Sequence, residues 1–146
     1  QNGRLEYLKS GENTYQMGGG IDMLEAIMCL TMAIYFEARS EPVEGQMAVA
    51  QVVMNRVANT RYPSEVCEVV KQKYQFAFYW DGKPETVHNK DAWGTAFIYA
   101  SAVYSGLVPD TTEGATHYHA DYVNPMWANT ADLTAQIQTH IFYRMD

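Results

Sequence analysis

Ile34-Tyr35-Phe36-Glu37-Ala38-Arg39-Ser40-Glu41-Pro42 is the stretch on which the reading of this chain turns. It closes a run, residues 23–36, in which only Glu25 and Thr31 are plainly polar. That run is long enough for about four helical turns and is apolar on nearly every side, which predicts a buried central helix. Pro42 bars its continuation and suits the first turn of a second helix, so the first should stop within residues 37–40. Glu37 is then a carboxylate at the inner end of an apolar helix. Burial and the helix's own terminal carbonyls both favour its neutral, protonated form. A carboxyl kept protonated in an apolar setting is the group that general-acid chemistry needs, and Glu37 is the candidate catalytic acid. A glutamate at a helix end can also serve an ion pair, here with Arg39, Arg56 or another cation, so the rest of the chain has to decide.

Working outward, residues 42–57 form the second helix, with Met47, Ala50, Val53, Met54 and Val57 at helical spacing and Gln51 and Arg56 off that stripe. Glu41 is a possible second carboxylate, or simply a solvated acid favoured by the helix dipole. On the other side, residues 1–20 are polar and end in Met17-Gly18-Gly19-Gly20, which reads as a flexible arm or linker. Residues 21–146 then make the domain proper, with Asp22 and Glu25 forming a capping-box-like start to the first helix.

Arg61-Tyr62-Pro63-Ser64 is a turn ahead of a short helix over residues 65–71. Tyr74-Gln75-Phe76-Ala77-Phe78-Tyr79-Trp80 clusters aromatics around a glutamine, either the floor of a sugar site or an aromatic mini-core. A third long helix starts at Asn89 or Asp91 and carries Trp93, Phe97, Ala100 and Tyr104 on one stripe, with Gly106 as its stop. Residues 115–120 and 139–144 read as two short strands, pairing as an antiparallel ribbon around a loop over 124–130.

With 146 residues, 47% of them hydrophobic, the chain has enough apolar material for one globular domain. A net charge of −7 and the lack of a basic stripe argue against nucleic acid as the partner. The apolar run bracketed by Glu25 and Glu37 is too short to span a membrane. Cys29 and Cys67 fit no zinc spacing; a disulfide between them is possible, and spacing alone leaves it open.

His117 and His119 share one side of a strand and, with His140 and Asp121, could make a zinc or iron site. No helical H-E-x-x-H and no cysteine ligand accompanies them, and no metal or cofactor is expected. Serine chemistry finds no G-x-S-x-G support.

Read together, I-Y-F-E-A-R-S-E-P at 34–42, G-Q-M-A-V-A-Q-V-V-M-N-R-V at 45–57, Tyr62-Pro63, V-C-E-V-V at 66–70 and Gln75-Phe76 form a pattern. Thr116-His117-Tyr118-His119, P-M-W-A at 125–128 and H-I-F-Y-R at 140–144 continue it in order. This resembles the spore cortex-lytic, germination-type cell-wall hydrolase family (SleB/CwlJ type), over roughly residues 23–144. The resemblance implies an α+β, mainly α, lysozyme-like domain with a short antiparallel β element. It also implies cleavage of peptidoglycan glycan strands, usually by lytic transglycosylation, at the cell wall, in the periplasm or outside the cell. Phage delivery is one such setting, and a monomer is expected. The family's catalytic glutamate falls on Glu37. Gln75, Tyr118 and His119 are the candidate sugar contacts, and Asn55 and Arg56 the candidate supports of the Glu37 turn. Ser40 stands where the family usually has glycine, which puts the turn after the acid in question, and Ala77 replaces a common hydroxyl residue. The alternatives are an amidase using a metal on His117, His119 and His140, and a non-catalytic wall-binding module.

Overall fold

A computed structural model describes residues 13–73 and 87–145, with side chains from residue 22 onward. Its elements, in order, are α1 (Asn13–Ala38), α2 (Val43–Val57), α3 (Val66–Lys73), α4 (Lys90–Tyr104), β1 (His117–Ala120), a 3-10 turn (Met126–Asn129), β2 (Asp132–Ile137) and β3 (His140–Arg144). The fold is α+β and mainly helical, as expected. The aromatic segment 74–80 lies outside the described residues.

The central helix ends where Pro42 and the polar residues predict, but it begins well before Asp22. Asp22 and Glu25 sit inside α1 and cap nothing. Gly18, Gly19 and Gly20 each cost about 1 kcal/mol in a helix. Extending a helix that already exists needs no new nucleus, however, and propagation carries α1 back through them.

Every residue from Cys29 to Tyr35 is buried, which is the all-round burial the apolar run requires. Thr31, the polar member, donates its hydroxyl hydrogen to the Ile27 carbonyl at 2.7 Å and so enters the core satisfied. α1 packs against α2, α3 and α4 around Leu30, Ile34, Ala50, Val53, Val69, Ala96 and Ala100. A disulfide joins Cys29 of α1 to Cys67 of α3, with the Cα atoms 5.3 Å apart. Tyr35 ties α1 to the start of α4, its hydroxyl oxygen accepting the backbone N–H of His88 at 3.1 Å and of Asn89 at 3.0 Å.

α2 is buried on two sides rather than one. Ala50, Val53 and Val57 face the helices, while Ala48 and Val52 pack on the sheet with Phe142. Arg56, expected off the apolar stripe, is buried.

Asn89 caps α4, its side-chain oxygen accepting the Ala92 N–H at 3.0 Å. At the other end Gly106 takes φ +73°, and Leu107 N–H donates to the Ala102 carbonyl at 3.0 Å. This is the Schellman arrangement that a glycine stop predicts. A Cβ on Gly106 would meet nothing within 4 Å, so Gly106→Ala is purely a backbone penalty. It should lower stability by about 1 kcal/mol, measured by urea unfolding.

The sheet has three strands in the order β1-β3-β2, not the two expected. β3 pairs antiparallel with both neighbours, with His117 opposite Tyr143 and Tyr118 opposite Phe142. Residues directly opposite share a face. Tyr118, Phe142, His140, Ala135 and Ile137 therefore face α2, and His117, His119, Ile141 and Tyr143 face away from it.

Candidate active site

Glu37 lies in the last turn of α1, half-buried, and its Oε1 accepts a hydrogen bond from the Tyr118 hydroxyl at 2.9 Å. The turn that follows is braced by Glu41 N–H donating to the Ala38 carbonyl at 2.9 Å. Gln46 Nε2 donates to the Glu41 carbonyl, also at 2.9 Å, so the start of α2 holds the turn against the end of α1. Ser40 is not among the residues with positive φ. Glycine's freedom is not needed there, which is why serine fits the position. Gly45 is different: a Cβ on it would stand 3.1 Å from Cβ and 3.4 Å from Oε1 of Glu41. The Glu41 side chain folds over that glycine.

Tyr118 is held on several sides. Its ring lies 5.5 Å from that of Phe142 and 5.1 Å, edge to face, from that of His140, while Lys73 Nζ stands 4.5 Å from its centroid. Behind it, Glu41 Oε1 accepts the Thr139 hydroxyl at 2.9 Å and lies 3.7 Å from His140 Nδ1. Glu41 is thus turned into a polar cluster with β3.

Asn55 and Arg56 both bond to the approach to the strand that bears Tyr118. Asn55 Nδ2 donates to the Ala115 carbonyl at 2.8 Å and to Asp110 Oδ2 at 3.1 Å. Asp110 in turn accepts the backbone N–H of Thr112 at 2.8 Å and of Gly114 at 2.9 Å. Arg56 Nε donates to the Thr116 carbonyl at 2.7 Å, and its guanidinium stacks over the Tyr62 ring at 4.7 Å. Together they pin the approach to β1 onto α2.

Burial draws the Lys73 ammonium down from its usual range to about 7, Arg56 pulls the same way, and Glu37 opposes both. Burial likewise draws His117 down to about 4, helped by Arg56 and Lys73. Lys73 had no signal in the sequence, since a lysine ending a short helix usually lies in solvent.

The remaining candidates are placed elsewhere. Gln75 is outside the described residues. His119 faces away from Tyr118 on the alternate side of β1. Its Nδ1 lies 2.7 Å from the Ala120 carbonyl, an acceptor only, so Nδ1 carries the hydrogen; Nε2, 2.9 Å away, then accepts the Tyr143 hydroxyl. Both ring nitrogens are engaged. His140 looks toward α2 and His117 and His119 look away from it, so the histidine trio weighed for a metal does not converge. Among the described residues no group of three His, Cys, Asp or Glu side chains could hold a metal ion.

A helical domain whose central helix delivers one carboxyl to a tyrosine on a small antiparallel sheet defines the class. Residues 40–143 match the cell wall hydrolase family, and the chain belongs to that family. The matched span begins just beyond Glu37.

The chain is 31% identical over 116 residues to a spore cortex-lytic enzyme of Bacillus subtilis (strain 168), covering 80% of this chain and 36% of that protein. A spore cortex-lytic enzyme of Bacillus cereus is also 31% identical over 118 residues, covering 80% of this chain and 43% of that protein. The chain therefore spans less than half the length of these relatives. The crystal structure of the catalytic domain of the Bacillus cereus SleB protein superposes with a TM-score of 0.62 at 26% identity, covering 82% of this chain and 89% of that one. The catalytic domain of the germination-specific lytic transglycosylase SleB from Bacillus anthracis gives 0.61 at 28% identity, covering 82% and 93%.

Proposed function

We propose that this domain cleaves peptidoglycan glycan strands as a lytic transglycosylase, with Glu37 as its single acid and base. The observation that carries the reading is the Glu37 carboxyl, set by the end of α1 with one oxygen bonded to Tyr118. That hydroxyl occupies Oε1 as a donor, so the proton of the acid form belongs on Oε2. Glu37 gives this proton to the glycosidic oxygen between N-acetylmuramic acid and N-acetylglucosamine, and the bond from that oxygen to the muramyl C1 breaks. The C6 hydroxyl of the same muramyl ring attacks the cationic C1, and its proton returns to Glu37. No water is consumed, and the new end is a 1,6-anhydro sugar.

Paired-acid glycosidases need a second carboxyl across the sugar to serve water or the anomeric carbon. Glu41, the neighbouring acid, is instead turned to Thr139 and His140, which supports the one-acid route. Lys73, which feels the charge of Glu37, supplies local positive charge for an anionic polymer when protonated, despite the net charge of −7. The Cys29–Cys67 disulfide suits an oxidising setting such as the wall. No helix among the described residues is long and apolar enough to cross a membrane.

Tyr118→Phe tests the site with little change of shape. Losing the bond to Glu37 should lower the rate on purified sacculi by roughly 10- to 100-fold. The unfolding temperature should hardly move. A rate within twofold of wild type would remove Tyr118 from the mechanism.

A further inference from the structure

Lys73 ends α3, and the reaction written above makes no use of it. Its Nζ stands 4.5 Å from the centroid of the ring whose hydroxyl is bonded to Glu37. Among the described residues, the charged and titratable groups near it include Glu37 from α1, Arg56 from α2, and His117 and Tyr118 from β1, with His140 of β3 5.1 Å from the Tyr118 ring and Glu41 beside His140. On its own helix Lys71 is paired with Glu68 at the surface, 3.9 Å apart.

We propose that Lys73 is a positioning residue for the acid: by gaining and losing its charge beside the Tyr118–Glu37 pair, it sets the pH range over which Glu37 holds the proton it donates. The proposal rests on the reading of Glu37 as the acid. A charged Lys73 favours the carboxylate form of Glu37, which has nothing to donate, and an uncharged Lys73 removes that bias. With Lys73 drawn to about 7, the change falls in the neutral range, where an ordinary surface lysine would stay cationic throughout. His117, drawn to about 4, is uncharged across the same range and adds no competing charge. Glu37 in its anionic form favours a charged Lys73 in return.

Two substitutions separate charge from packing. Methionine keeps much of the lysine stem without a charge; arginine keeps a charge that is never released at working pH. On purified sacculi, the alkaline limb of the kcat/KM profile should move up by roughly one pH unit in Lys73→Met and down in Lys73→Arg. Profiles that superpose, or that move in the same direction, would overturn the proposal, because lost packing does not distinguish the two. A second measurement needs no substrate. The 13Cε signal of Lys73, followed by NMR, should titrate near 7 in the wild type and lower in Glu37→Gln, where the opposing anion is gone. An unchanged midpoint would refute the coupling. A wild type that releases no soluble product while this coupling persists would instead sink the assigned reaction and leave the pairing standing.

Discussion

Glu37→Gln should abolish the release of soluble glycan fragments from sacculi, a loss of about 10²- to 10⁴-fold, the usual worth of a general acid. Glutamine has the shape of glutamic acid and keeps the acceptor oxygen that takes the Tyr118 hydroxyl hydrogen bond. The end of α1, the turn to Pro42 and the packing of β1 should all survive. What glutamine lacks is a proton acidic enough to give to a glycosidic oxygen, or a basic oxygen to take one back. Both halves of the proposed reaction are therefore lost in one change. Thermal unfolding run beside the assay should be indistinguishable from wild type. Substantial residual activity in a folded Glu37→Gln would mean that another group supplies the proton.

The second large effect concerns stability. Reducing the Cys29–Cys67 bond, or replacing both cysteines by serine, should destabilise the domain by about 4 kcal/mol, the loop-closure entropy for a separation of this size. In a domain of this length that corresponds to a fall in Tm of about 10–15 °C. The loss should reach the site, because Cys67 holds α3 against α1 and α3 ends at Lys73. Calorimetry with and without reductant measures it, and an unchanged Tm would contradict the bridge. Substrate cleavage should fail at a correspondingly lower temperature in the reduced form.

The parts of this fold legible in the sequence were those governed by local rules. The apolar run and Pro42 located the end of the central helix, and with it Glu37. Gly106 marked the end of α4 because a left-handed residue is needed there. β2 escaped for two physical reasons. Pairing slips at Thr134, so that Leu133 and Ala135 fall on opposite faces of the sheet and the alternation is broken. The turn before β3 places Gln138 at φ +55° without the glycine or asparagine that usually announces such a turn. Likewise, the start of α1 was hidden by its glycines, whose local cost the rest of the helix overrides.

In the site, Tyr118 was legible as a motif residue, but its bond to Glu37 spans 81 positions and is a product of packing alone. Asn55 and Arg56 were legible as polar residues on an apolar helix. Their targets, the Ala115 and Thr116 carbonyls, were not, because those contacts too are long-range. The histidines point the same lesson the other way. Their spacing in sequence suggested convergence, and the register of β3 sends His140 to the opposite face from His117 and His119.

The most direct test of the account is mass spectrometry of the muropeptides that the wild-type domain releases from purified sacculi. Glycan fragments ending in 1,6-anhydro-muramic acid, one water lighter than hydrolysed ends and absent from Glu37→Gln digests, are the predicted result. Fragments ending in ordinary reducing muramic acid, or free peptides from intact glycan strands, would contradict it.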